Sequence, residues 1–253
     1  MPIVRVLGIA QDGGHPQPGC TRPCCAGPAR HSPACLMLEA GGRWLFDITP
    51  AFPTQVPPGP IDGVFLTHAH VGHYTGLVHL GREVMNARGV PVFAMPRMAA
   101  FLRANGPWEQ LVRLGNIDLR SIEGGVEVGG VRVTPVPVPH RDEYSETVGY
   151  RITGPNRTVV WLPDIDAWGG DDLLAGVDVA YVDGTFWDDG ELGRDMSEIP
   201  HPRIRDSLAR LRGDVRFVHL NHTNPCLDPG SPESAAVRAA GMRIAEEGEV
   251  FEL

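Results

Sequence analysis

The chain has 253 residues, of which 42% are hydrophobic, so it is long and apolar enough to bury a substantial core. Its 22 basic and 31 acidic residues give a net charge of −9, which argues against an extended nucleic acid or an anionic membrane as partner. No stretch of about 18 apolar residues is present. We therefore expect no membrane span and no signal peptide, and a cytoplasmic protein that acts on a small molecule. The sequence leaves open whether the chain forms a homodimer.

Apolar runs of strand length dominate the chain, and helices become frequent only after the first 60 residues. The predicted strands cover residues 3–9, 35–39, 44–48, 63–66, 131–138, 147–152, 158–162, 177–183 and 215–220. The predicted helices cover residues 76–86, 96–105, 171–175, 204–211 and 232–240. This order favours an α/β fold of the αββα type, a four-layer sandwich of two facing mixed sheets with helices outside. A doubly wound parallel sheet is the alternative, but it requires a regular alternation of strands and helices. We predict a single domain over residues 1–253, with a cysteine-rich loop at about 11–35.

Residues 67–73, Thr-His-Ala-His-Val-Gly-His, follow one of the predicted strands. Two imidazoles separated by one residue, those of His68 and His70, and a third at His73 can face one cation only from a tight turn. Neutral imidazole is the commonest ligand of zinc and also suits iron. The loop therefore predicts a metal site.

Three further candidate ligands also follow apolar runs. His140 comes after residues 136–139, Asp164 after 158–163, and His222 after 217–221. Alone, a histidine or aspartate after a strand is most often a hydrogen-bonded or turn residue. Together with the histidine loop, these residues indicate a metal site built on loops at strand ends.

Cys20, Cys24 and Cys25 lie within six residues of one another. In a chain without an export signal, such clustering favours a metal-thiolate site over disulfides. A closed tetrahedral zinc needs a fourth ligand, and the candidates are His219, Cys226, Cys35 and His31. We assign His219 to this structural zinc and His222 to the active cleft. Neighbouring cysteines point apart in an extended chain, which leaves open whether Cys24 and Cys25 both bind.

The histidine loop resembles the His-x-His-x-Asp-His motif of the metallo-β-lactamase superfamily, with Gly72 in place of the aspartate. Over nearly the whole chain the sequence is similar to the branch of pyrroloquinoline quinone biosynthesis protein B, on residues 13–17, 182–189, 193–196 and 219–225. That branch lacks the first two histidines of the loop, keeps the aspartate, and has asparagine where His222 stands. The chain therefore looks like a paralogue with different chemistry. A more distant resemblance is to the cyclic phosphodiesterases of phosphonate pathways.

The resemblance implies two metal positions in the active site. His68, His70, His140 and a shared Asp164 would hold the first, and His73, Asp164 and His222 would hold the second, which lacks one carboxylate. It implies one or two zinc ions there, with Mn²⁺ or Fe²⁺ as alternatives, besides the structural zinc. If both positions fill, a bridging hydroxide would serve as the nucleophile. Gly72 could instead be a turn residue with positive φ.

The phosphodiesterase resemblance also implies that His201 protonates the leaving oxygen, although a residue at the entrance of a helix would look the same in sequence. Asp183 would orient a ligand histidine from behind. The leading hypothesis is a metal-dependent hydrolase of a small ester or phosphodiester, with Asp164 and His201 as catalytic residues. The alternatives are an iron-dependent oxygenase or oxidase of a small phenol or amino acid, and a non-enzymatic carrier of a metal or cofactor.

Overall fold

Two seven-stranded sheets form the centre of the protein. The structure is a computed structural model that describes residues 1–253, apart from the side chains of Asp171 and Asp172. The first sheet contains β1 (Ile3–Gly8), β2 (Cys35–Glu39), β3 (Arg43–Phe46), β4 (Gly63–Phe65), β5 (Val90–Ala94) and β6 (Ile117–Ser121). The second contains β7 (Val126–Val128), β8 (Val131–Pro137), β9 (Val148–Thr153), β10 (Thr158–Leu162), β11 (Val179–Asp183), β12 (Asp214–Val218) and β13 (Arg243–Ile244). β14 (Val250–Glu252) returns to the first sheet and pairs with β1. Both sheets mix parallel and antiparallel pairs.

In the first sheet, alternate side chains of a strand enter two different cores. In β2, Leu36 and Leu38 enter the core between the sheets, whereas Cys35 and Met37 face the outer layer. That outer layer includes α3 (Pro96–Ala104), whose Met98 and Leu102 are buried there. Because strand side chains alternate between faces, one short apolar strand serves both layers. The predicted αββα sandwich is confirmed.

The remaining helices are short. They are α1 (Phe52–Gln55), α2 (Val71–Tyr74), α4 (Trp108–Arg113), α5 (Ile204–Arg210) and α6 (Pro232–Ala239), with 3-10 turns at Pro23–Cys25, Thr75–Leu80, Asp171–Leu174 and Pro225–Leu227. The predicted helix over 76–86 is wrong: a 3-10 turn ends at Leu80, and the chain is extended at Gly81. Among the described residues, no helix has the length and apolar character needed to cross a membrane.

Loops after several strands meet at one edge of the sandwich. The residues that they bring there are Asp12 after β1, Asp47 after β3, His68 after β4, His140 after β8, Asp164 after β10, Asp183 at the end of β11, and His219 after β12. The two sheets thus act as a rigid base for polar groups that come from distant parts of the sequence.

Phe65 joins the two sheets at the centre of the core. Its ring stacks on Phe46 and Phe93, with centroids 5.1 and 4.7 Å away, and meets Tyr150 of the second sheet edge-on at 5.6 Å.

We expect Phe65→Ala to lower the free energy of unfolding by about 3–5 kcal/mol, because it leaves a cavity between the sheets. Urea denaturation with a chelator present measures this without a contribution from metal binding. Val84→Ala, at a side chain that is 62% exposed, is the control and should change stability by less than about 0.5 kcal/mol. A loss below about 1 kcal/mol for Phe65→Ala would contradict this packing.

Candidate metal centre

The first ligand group consists of His68, His70, His140 and Asp164. One ligand atom from each lies within 4.8 Å of the others. The Oδ2 atom of Asp164 is 3.3 Å from Nε2 of His68 and 3.2 Å from Nε2 of His140. The structure therefore brings together the four residues that the sequence assigned to the first metal position.

Neighbouring groups fix the imidazoles of this cluster from behind. Nδ1 of His68 lies 2.9 Å from Oγ1 of Thr67, and Nδ1 of His140 lies 2.8 Å from Oδ1 of Asp166. With one ring nitrogen held in each case, the other faces the cluster. Such outer hydrogen bonds are the usual way in which a protein sets the orientation of a histidine ligand.

A second group contains Asp12, His73 and His219. Oδ1 of Asp12 lies 3.3 Å from Nε2 of His73 and 3.4 Å from Nε2 of His219. Asp47 accepts a hydrogen bond of 2.7 Å from Nδ1 of His73, and Thr185 lies 2.9 Å from Nδ1 of His219. The second group is therefore oriented in the same manner as the first.

The structure places His219 and His222 at the opposite positions from those expected. His219 stands beside His73, and His222 lies with the cysteines. β12 ends at Val218, and the backbone of His219 is left-handed, with φ at 62°. Because this conformation turns the chain sharply, the alternation of a strand no longer applies, and the two imidazoles face different sites.

The third group consists of Cys20, Cys24, Cys25 and His222. The 3-10 turn at Pro23–Cys25 brings both neighbouring cysteines to the cluster, because a turn, unlike an extended chain, does not point adjacent side chains apart. Cys35 and Cys226 are buried elsewhere, and His31 packs against His15 instead. Three thiols and an imidazole fit a closed tetrahedral zinc site, and all five cysteines of the chain are free thiols.

The donor atoms of the first two groups fit a cation. Among the described side chains, Nε2 of His68, Nε2 of His73 and Oδ1 of Asp164 are buried without a hydrogen-bond partner. Burial, with the nearby His73, holds the pKa of His68 well below its usual value. Although burial opposes ionisation, the charge of His219 and hydrogen bonds from histidines hold the pKa of Asp164 well below its usual value. A neutral imidazole and an ionised carboxylate are the forms that bind metals.

His201 lies beside the first group. Its Nδ1 donates a hydrogen bond of 2.8 Å to Oδ2 of Asp183, and its Nε2 is 3.1 Å from Nη2 of Arg141. Burial alone would lower the pKa of His201, but the charge of Asp183 and its hydrogen bond raise it. Asp183 was expected to orient a ligand histidine. It contacts His201 directly and reaches His219 only through Oγ1 of Thr185.

Sequence reasoning missed Asp12, Asp47, Asp166 and Thr185. Asp12 stands in a Gln-Asp-Gly-Gly stretch, where aspartate is an ordinary turn residue. Asp47, fully buried, follows the apolar residues of β3, so it carried the same signal as Asp164. Its backbone is left-handed, with φ at 66°, as is common at functional sites.

Comparison with known proteins identifies the family of this chain. The model of the Beta-lactamase superfamily domain matches residues 43–220, which is more than half of the chain. The chain belongs to the β-lactamase superfamily. Within this superfamily it is a homologue of coenzyme PQQ synthesis protein B. The protein of that name from Ruegeria pomeroyi is 30% identical over 291 residues, with 96% of this chain and 97% of the relative covered.

Two solved structures share the fold. Zn²⁺-bound PqqB from Methylobacterium extorquens has a TM-score of 0.85 and 24% identity, with 99% of this chain and 100% of that chain covered. A diphosphatase of the PhnP family has a TM-score of 0.75 and 23% identity, with 100% and 97% covered. The superfamily assignment and the ligand groups together support a metal cofactor.

The assignment of His222 to the cysteine group can be tested with cobalt. In protein loaded with Co²⁺, we expect His222→Ala and Cys25→Ser each to weaken the thiolate-to-cobalt charge-transfer band, and each to lower the zinc content of the native protein by about one ion per chain. His219→Ala should leave that band unchanged. Cys226→Ala, which removes a thiol outside the cluster, is the control. A normal band in His222→Ala together with a lost band in His219→Ala would restore the opposite assignment.

Proposed function

We propose that this protein is a metal-dependent hydrolase that cleaves a small anionic phosphodiester or ester. The observation that carries the proposal is the position of Asp164 between the two ligand groups. Its Oδ2 lies 3.2 Å from His140 in the first group, and 3.8 Å from both His73 and His219 in the second. One carboxylate shared by two groups of imidazoles suits a pair of divalent cations.

Cations held at these residues would supply a strong nucleophile near neutral pH and polarise the bond to be cleaved. The protein contributes the position of the ligands. Asp164 is buried, and its carboxylate is enclosed by imidazoles from both groups. Because the surrounding strand ends are rigid, little reorganisation is needed when a substrate binds.

His201 is the candidate general acid. Asp183 holds its Nδ1, so Nε2 is the atom that can reach a leaving oxygen. In this arrangement Arg141 donates toward Nε2, which makes that atom an acceptor. His201 can therefore donate a proton from Nε2 to a leaving group only when Arg141 has moved away from this atom.

An anionic group on the substrate would draw Arg141 away from His201. The side chain of Arg141 is about one third exposed, and its Nε lies 3.6 Å from Oδ1 of Asp166 but forms no hydrogen bond with any described side chain. A bound phosphate or carboxylate would offer this atom a closer acceptor than Asp166 does. This favours a phosphodiester over a neutral ester.

The cavity beside His201 has the size of a binding site for a small substrate. A cavity of about 760 Å³ there is lined in part by Trp168, Met196 and Arg203. This volume is within the range of about 300–1,000 Å³ typical of small-molecule sites.

The second candidate is an iron-dependent oxidative enzyme. Five imidazoles in the two groups, with the carboxylates of Asp164 and Asp12, also suit iron. Metal analysis of protein purified without added metal, together with assays of phosphodiester hydrolysis and of oxygen consumption, separates the candidates. Iron with oxygen consumption and no hydrolysis would support the second one, and neither activity would support a carrier.

For the hydrolase, we expect turnover of bis(4-nitrophenyl) phosphate that depends on Zn²⁺ or Mn²⁺. Asp164→Asn and His68→Ala should each lower kcat/KM by more than about 100-fold, since even outer partners of metal ligands contribute about 10–100-fold. The release of 4-nitrophenol measures this. His79→Ala is the matched control, because this imidazole packs on Phe52 away from the metal groups. Full activity in His68→Ala would contradict the proposal.

The role of His201 is tested with two leaving groups. For a phosphodiester with an alkyl leaving group, we expect His201→Asn to lower kcat by about 10²–10⁴-fold, because an alkoxide needs a proton as it departs. For 4-nitrophenolate, which is stable as an anion, the loss should be below about tenfold. The ratio of the two losses is the measurement. Equal losses for both substrates would mean that His201 does not act as the general acid.

A further inference from the structure

Gly72 has no conformational reason to be glycine. It lies in the short helix α2, and its backbone is not among those in the left-handed region. The idea that Gly72 supplies a positive φ is therefore wrong. Any other L-residue could adopt the same backbone angles.

The reason for glycine is the space beside it. A Cβ atom at position 72 would lie 2.3 Å from Oδ1 of Asp12, 2.4 Å from its Cγ and 2.7 Å from its Cα. Side-chain atoms do not approach one another so closely. Asp12 thus occupies the place into which the side chain of residue 72 would extend, and the two positions cannot both carry a carboxylate.

The carboxylate of Asp12 is directed at an unsatisfied, buried ligand atom. His73 is 1% exposed, and its Nε2 has no hydrogen-bond partner in the part of the chain that the structure describes, although Oδ1 of Asp12 is 3.3 Å away. Nε2 of His219 forms a long hydrogen bond of 3.4 Å with the same oxygen. Ligand atoms of Asp12, His73 and His219 thus converge at one place, and the buried, unpaired Nε2 of His73 indicates a position for a cation there.

We propose that Asp12 is the carboxylate ligand of the second metal and replaces, from a different part of the chain, the aspartate that Gly72 lacks. The second position then has a complete donor set of Asp12, His73, His219 and the shared Asp164. Gly72 and Asp12 form a complementary pair, since the glycine makes room for the ligand. The inference rests on the proposed two-metal site, but it concerns metal binding and not turnover.

Titration with Mn²⁺ tests the proposal, because this cation avoids thiolates and leaves zinc at the cysteine group. Protein with an empty active site and its cysteine zinc retained is titrated by calorimetry and by electron paramagnetic resonance. In the wild-type protein we expect two Mn²⁺ per chain and the signal of a coupled pair. In Asp12→Asn the second ion should bind at least ~10-fold more weakly, and the coupled signal should be lost at the same concentration.

Gly72→Ala provides an independent test that alters no ligand. The added methyl group must displace the Asp12 carboxylate, so we expect the same selective loss of the second ion. The matched controls are Asp118→Asn, an exposed carboxylate paired with Arg120, and Gly124→Ala, where a Cβ would meet nothing within 4 Å. Both controls should bind two ions as the wild-type protein does.

Undiminished affinity for the second Mn²⁺ in Asp12→Asn would overturn the inference, and so would a wild-type protein that binds only one ion. Because Asp12→Asn keeps the size of the side chain, its result stands even if Gly72→Ala fails to fold. Failure of the proposed function would look different. Two Mn²⁺ would bind, with the dependence on Asp12 described above, but no phosphodiester would be hydrolysed.

Discussion

One buried carboxylate, that of Asp164, determines how the loops at one edge of the sandwich are arranged. Its Oδ2 lies between 3.2 and 3.9 Å from ring nitrogens of five histidines, which are His68, His70, His73, His140 and His219. A buried ionised group must be compensated by nearby partners, so the loops that carry these imidazoles must all reach the same point. The outer partners Asp47, Asp166, Thr67 and Thr185 hold the far nitrogens, and this leaves the near ones directed at Asp164. The two sheets supply the rigidity that this convergence needs.

The sequence allowed much of this edge to be predicted, because a strand end followed by histidine or aspartate is a local pattern. His68, His70, His140 and Asp164 each show it, and the structure places them together. The exchange of His219 and His222 could not be predicted, since it depends on a left-handed residue just after β12. Asp12 was missed for a related reason. Its role depends on the glycine sixty residues later, and only the folded chain brings the two into contact.

The fold was predictable to a similar degree. Strands that form continuous apolar runs, such as β2 and β10, were located to the residue. The edge strands β7, β13 and β14 have only two or three residues, too few to show a period. Central β5 was also missed, because Pro91 interrupts its apolar run. In the segment from residue 76, apolar spacing suggested a helix, but Gly76 lies against the backbone of Ile48 and Thr49, where a Cβ would be 2.3 Å from a carbonyl oxygen. Tertiary contact therefore decided the local structure.

Short segments of chain join the cysteine group to the ligand group of Asp12, His73 and His219. His219 and His222 are three residues apart, and Asp12 begins the loop that carries Cys20, Cys24 and Cys25. A zinc ion among the thiols would fix both segments, and with them two donors of the second metal position. The ligands of the first metal position come from other loops, so that position does not depend on zinc at the cysteine group. Maturation of the protein would then follow an order, in which the cysteine zinc binds early and the ion of the second metal position binds last.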